Sequence, residues 1–158
     1  MSRLRKRTGF TLIELLIVVA IIGIIAALAI PNLLNAIDRG KQKSTMANMR
    51  SISTSVEQYA IDVNFYPIST SMAALSSLGP TNLGLQPTYI KLLPVKDGWG
   101  GQIYYGSDGT GAGSDYTIVS YGKDKKQSST SAGATNDFDC DIIFQNGTFT
   151  AYPDGIQT

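Results

Sequence analysis

Arg7-Thr8-Gly9-Phe10-Thr11-Leu12-Ile13-Glu14-Leu15-Leu16, with the apolar run behind it, decides how the rest of the chain is read. From Thr8 to Ile37, thirty residues, only Glu14 is charged. At about 1.5 Å rise per residue such a run exceeds the roughly 30 Å hydrocarbon core of a bilayer, so it is long enough to span a membrane as a helix. An ionised carboxylate inside hydrocarbon costs about 2.5–3.5 kcal/mol on insertion scales, so Glu14 implies a compensating partner. No Lys or Arg lies within a turn or two after it. A cut between Gly9 and Phe10 would create an α-amino group four residues before Glu14 and would remove Arg3, Arg5, Lys6 and Arg7.

Two other readings of this end were weighed. A secretory signal peptide has a basic start, an apolar core and a small-residue cut, and Ala27-Leu28-Ala29 offers one ahead of Ile30. Glu14 interrupts that apolar core, and Pro31 lies just past the cut. A plain signal anchor leaves Glu14 unexplained. Four cations precede Phe10, and Arg39, Lys41, Lys43 and Arg50 lie beyond the far end, a bias that favours a cytoplasmic N-terminus.

With the apolar run set aside, 158 residues leave room for one small globular domain. The leader holds four of the thirteen cations, so the chain without it carries nine cations against twelve acids, a net −3, which argues against bulk nucleic-acid binding. There is no histidine, which removes the usual general base, Ser-His catalysis and most transition-metal sites. Cys140 is alone, so no internal disulfide forms, and without a histidine partner it reads as a packed small residue. The expectation is a protein without an active site.

Past Pro31 the helical pattern continues: Ile37, Met46, Met49, Ile52, Val56, Tyr59 and Val63 recur on one stripe, while Asp38, Arg39, Lys41, Lys43, Arg50 and Glu57 fall mostly off it. A helix from Phe10 to Val63 would be about 80 Å long, with Gly23 and Pro31 as points where it can kink. It should stop by Asn64, because Tyr66 precedes Pro67. Residues 71–78 read as a short helix capped by Ser71 and ended by Gly79-Pro80. Residues 89–94 read as extended, 102–105 and 115–121 as strands, and 139–144 and 148–152 as a hairpin about Asn146-Gly147. The expected fold class is α+β, a long N-terminal helix packed on a small antiparallel sheet. The expected divisions are a leader at 1–9, a membrane and polymerisation helix at 10–34, an amphipathic half at 35–63 and a globular domain at 64–158.

Gly109, Gly111 and Gly113 form a Gly-x-Gly-x-Gly run, but no strand-turn-helix context surrounds it, so it reads as a loop. Asn146-Gly147-Thr148 matches a glycosylation sequon, and the hairpin turn accounts for the same residues. Asp137, Asp139 and Asp141, with Asp124 upstream, would crowd three carboxylates on one face of an extended segment at about 7 Å spacing. Ca²⁺ would compensate them, as would Lys123, Lys125 and Lys126, and the spacing leaves both open.

The basic leader, Gly9, Phe10, Glu14 and the Leu/Ile/Val/Ala run to Pro31 closely resemble the N-terminus of type IV pilins and type II secretion pseudopilins. The resemblance implies cleavage after Gly9 by a prepilin peptidase, methylation of the Phe10 nitrogen, and polymerisation through the helix, with Glu14 pairing to a neighbour's N-terminal ammonium. The C-terminal half is similar to the major, G-type pseudopilins at Asp97-Gly98-Trp99-Gly100, Ser120-Tyr121-Gly122-Lys123-Asp124 and Asp139-Cys140-Asp141-Ile142. In that family the last loop folds around calcium without a disulfide, which implies ligands at Asp124, Asp137, Asp139 and Asp141 and the Tyr121 carbonyl. Lys125 and Lys126 depart from the family's pattern.

These resemblances imply a pilin-like structural subunit of the periplasmic pseudopilus of a type II secretion system, anchored in the inner membrane by a single span before assembly. The partners implied are copies of itself, the peptidase, minor pseudopilins or pilins, the inner-membrane assembly platform and membrane lipid, with no nucleic acid. The alternative is a type IV pilin of an extracellular fibre for adhesion, twitching or DNA uptake, and a third possibility is a binding or enzymatic domain merely tethered by the helix.

Overall fold

The computed structural model describes residues 9–108, 114–128 and 132–154. Most of the leader, residues 1–8, and the Gly109, Gly111, Gly113 run lie outside the described residues. The chain divides into two compact units, residues 1–36 and 37–158.

Helix α1 runs Leu12–Val63 and passes through Pro31 without a break. In the first unit every Leu, Ile and Val side chain of this helix is exposed, and the stretch is long and apolar enough to cross a membrane. In the second unit the same helix turns amphipathic. Met49, Ile52 and Val56 are fully buried, whereas Ile37, at the start of the expected stripe, is exposed. The helix stops as Asn64 takes the left-handed conformation (φ 64°) and gives its N–H to the Ala60 carbonyl at 2.8 Å.

Six strands follow: β1 Ala73–Ala74, β2 Ile103–Ser107, β3 Tyr116–Ser120, β4 Gly133–Thr135, β5 Ile142–Gln145 and β6 Thr148–Pro153. A one-turn helix α2, Leu75–Leu78, follows β1. The sheet order is β1-β2-β3-β5-β6-β4, antiparallel throughout except for the parallel β4/β6 pair. Alternation places Ile103, Tyr105, Tyr116, Ile118, Ile142 and Phe144 against the buried face of α1, with Leu75, Leu83, Leu85 and Leu93 completing the core. Tyr116 joins helix and sheet. Its hydroxyl lies 2.8 Å from Ser53 Oγ, donates to Glu57 at 2.7 Å and accepts the Gly147 N–H at 3.1 Å. The β5/β6 hairpin turns at Asn146 (φ 46°) and Gly147 (φ 87°), both in the left-handed region a type I′ turn requires.

Three local expectations are corrected. Ser71 does not cap a helix over 71–78. Residues 73–74 pair with β2 instead, and α2 begins only at Leu75 with no side-chain cap. Residues 89–94 form no strand, because turns at 86–89 and bends at 91–92 carry the chain back toward β2. Residues 137–140 are a turn and bend rather than an extended run, because the Asp137 carboxylate takes the Asp139 N–H at 3.1 Å and its carbonyl takes the Cys140 N–H at 3.4 Å.

Candidate functional site

At the N-terminus, Gly9 and Phe10 precede the helix, and Phe10 is 78% exposed. Thr11 is the N-cap residue. Its hydroxyl accepts the Glu14 N–H at 3.3 Å, and the Glu14 carboxylate accepts the Thr11 N–H at 2.9 Å and the Thr11 hydroxyl at 2.6 Å. This reciprocal arrangement is a capping box, which satisfies donors that a helix start leaves open and places a negative group at the positive end of the helix dipole. Among the described residues no cation pairs with Glu14. Hydrogen bonding from Thr11 therefore lowers the cost of holding a carboxylate on this apolar segment, yet its charge stays available to a cation from outside the chain. Thr11 was missed in the sequence, although Thr-x-x-Glu at a helix start was the signal that could have found it.

The second candidate lies in the loop between β3 and β5. Asp141 is buried and senses the charge of Asp124, whereas Asp137 and Asp139 are exposed on their own turn. Burial pushes the Asp141 carboxyl up; the Ser128 N–H and hydroxyl pull it down, and the charge of Asp124 adds to the rise. Asp124 accepts the Lys126 N–H at 2.9 Å. Among the described residues no three Asp, Glu, Cys or His side chains converge as a metal group. The Tyr121 ring packs against Tyr104 with centroids 4.4 Å apart. Gly122 (φ 69°) allows the loop to turn tightly over the Phe138 and Cys140 carbonyls, each 2.7 Å from where a Cβ would stand.

Lys123 leaves the acidic loop for the helix. Its ammonium sits 3.0 Å from Asp38, which also accepts the Trp99 indole N–H at 3.1 Å. Burial pushes the Asp38 carboxyl up, but the lysine, the indole and Lys41 outweigh it and hold it below its ordinary value. Beside this clamp the Asp97 carboxylate accepts the Trp99 N–H at 2.9 Å, the Gly101 N–H at 2.7 Å and the Ser120 hydroxyl at 2.9 Å. The Gly98 N–H donates to Thr45 on α1 at 2.9 Å. The Asp-Gly-Trp-Gly turn is thus a buckle between α1 and the sheet.

Two profiles of known families tile the chain. Residues 4–30 match the prokaryotic N-terminal methylation motif, and residues 32–138 match type II secretion system (T2SS), protein G. The chain belongs to the type II secretion system protein G family. It is 32% identical over 138 residues to the type II secretion system core protein G of Vibrio cholerae, covering 85% of this chain and 92% of that one. It is 33% identical over 141 residues to the protein of the same name from Pseudomonas aeruginosa, covering 85% and 94%. A shorter match, 49% over 76 residues and covering 48% and 56%, is to the type IV wide pilus major component PilA4 of Thermus thermophilus. No solved structure matches. The protein G family is one of structural pseudopilin subunits, in keeping with an α+β domain behind an exposed apolar helix.

Proposed function

We propose that this chain is the repeating subunit of a periplasmic pseudopilus that drives protein export: cleaved after Gly9, methylated on Phe10, held in the inner membrane by the first part of α1 and then polymerised. The observation that carries this reading is Glu14, a carboxylate on the exposed apolar first part of α1 whose hydrogen bonds are met by Thr11 while its charge has no partner among the described residues. A neighbouring subunit's methylated N-terminal ammonium is the cation that cleavage would provide. The prepilin peptidase, other pseudopilins and the inner-membrane platform follow as partners.

Calcium belongs to the same proposal. Asp124 and Asp141 would hold the ion, with backbone carbonyls such as that of Tyr121 supplying further oxygens, as a hard cation prefers. What supports this is the buried Asp141 carboxylate, bonded to the Ser128 N–H and raised by burial and by the charge of Asp124. The ion would supply charge compensation and a cross-link within the loop, replacing a disulfide.

A surface fibre is the second reading, favoured by the match to the wide-pilus component. Deleting the gene in its native bacterium separates them. A pseudopilus subunit leaves exported proteins trapped in the periplasm with surface fibres intact, and plasmid-borne wild type, but not Glu14→Leu, restores export. Loss of surface fibres with export unchanged would contradict the proposal.

A further inference from the structure

We propose that Arg39 and Lys43 of one subunit dock against Asp108 and Asp115 of a second copy, a contact that rests on the polymer reading above and adds a second, charge-specific interface outside the apolar helix. Arg39, Lys43, Arg50 and Glu57 lie four, seven and seven residues apart, so they share one stripe of α1. The stripe faces solvent at Arg39, Lys43 and Arg50, all exposed, and meets the domain at half-buried Glu57, which accepts the Tyr116 hydroxyl. Arg50 is engaged over the Phe149 ring, 5.3 Å from its centroid. Arg39 and Lys43 make no ion pair among the described residues, whereas the neighbouring Lys41 lies 3.9 Å from Asp38.

Asp108 and Asp115 end the β2/β3 pair, joined by the Asp108 N–H to the Asp115 carbonyl at 3.4 Å. Both side chains are exposed, and among the described residues they accept from neutral donors: Asp108 from Ser114 at 3.2 Å, Asp115 from Asn146 at 2.7 Å. Asp115 precedes Tyr116, whose hydroxyl contacts Ser53 and Glu57, so this acidic end sits level with the 53–57 turn of α1. Lys43 and Glu57 are fourteen residues apart, an axial separation of about 21 Å.

The second unit is therefore polarised along α1, positive at 39–43 and negative about 21 Å further on. Parallel copies in register would set like charges side by side. Copies displaced along the axis bring the acidic end of one to the basic stripe of the next, a head-to-tail contact that propagates into a filament without closing.

The test uses the full-length chain assembling in cells, with subunit level in membranes measured alongside fibre yield. Arg39→Glu with Lys43→Glu should reduce fibres at least about tenfold at unchanged subunit level, because like charges facing across an interface are strongly unfavourable. Asp108→Lys with Asp115→Lys should do the same, and the fourfold reversal should recover to within about threefold of wild type. Fibre yields unchanged by either pair overturn the contact. So does a fourfold variant as defective as the pairs, an outcome that would assign the cations to anionic lipid or another partner. A wild type that forms no fibre overturns the polymer reading, and this contact with it.

Discussion

Asp38 is the first charged residue after Glu14, and it lies off the apolar stripe, yet it is buried because Trp99 and Lys123 close over it. Its carboxyl is held below the ordinary value and the Lys123 ammonium above its own, through the bond to Asp38 and the charges of Asp139 and Asp137. A depressed carboxylate contributes stability above its unfolded pKa and loses it as pH falls through the folded value; a raised ammonium contributes below its unfolded pKa and loses it as pH rises through the folded value. The clamp therefore holds between about pH 4 and pH 10 and fails on either side. Asp38→Asn keeps an acceptor for the indole and removes the charge, at a cost of about 1 kcal/mol at neutral pH. Trp99 is the sole tryptophan, so its fluorescence during thermal unfolding of detergent-solubilised protein reads the clamp directly. The gap between wild type and Asp38→Asn should close as pH falls through the lowered titration of Asp38, and a gap that persists in fully acidified protein would show that charge is not its source. The same residue marks a limit of legibility. Periodicity separates apolar from polar faces, but it cannot say which polar residue a distant tryptophan and lysine will reach.

The elements were more legible where their signal is local. Helix α1, its stop at Asn64 and the Asn146-Gly147 hairpin all follow from periodicity and backbone preference within a few residues. Strand β4 does not, because Gly133-Ala134-Thr135 has no alternation and its parallel partner β6 is set by tertiary placement. The acidic loop was misread as extended because an Asp side chain can bond the backbone two residues on and make a turn instead. Two predictions belong at this scale. Gly98 sits so close to α1 that a Cβ would stand 2.8 Å from the Lys41 carbonyl carbon, backbone that cannot swing aside. Gly98→Ala should lift the buckle from the helix at about 1–3 kcal/mol, lowering the melting temperature by several degrees and shifting Trp99 emission. A variant that melts with wild type would show the approach to be looser than this. For the loop, calcium bound only by the folded state adds about 2.7 kcal/mol at a hundred times its dissociation constant. Full-length protein should melt lower in EGTA than in millimolar Ca²⁺, with poor rescue by Mg²⁺, and Asp124→Ala with Asp141→Ala should erase the difference. Equal melting of wild type in both would leave Lys123, held on Asp38, as the loop's anchoring cation.

At the scale of the whole molecule, the methylation motif ends at residue 30 and the protein G match begins at residue 32, so one continuous helix belongs to both. The apolar segment was readable from the sequence, since one charge in thirty residues marks a run long enough to cross a membrane. What joins the domain to its helix was not readable. Asp38, Asp97, Gly98, Trp99 and Lys123 meet only in three dimensions. The central claim is that this chain is processed at Gly9 and assembled through the new N-terminus. Mass spectrometry of the subunit purified from membranes of its native bacterium measures it most directly. The account predicts an N-terminal peptide beginning at N-methyl-Phe10. Subunits beginning at Ile30, or only chains that retain the leader, would contradict it.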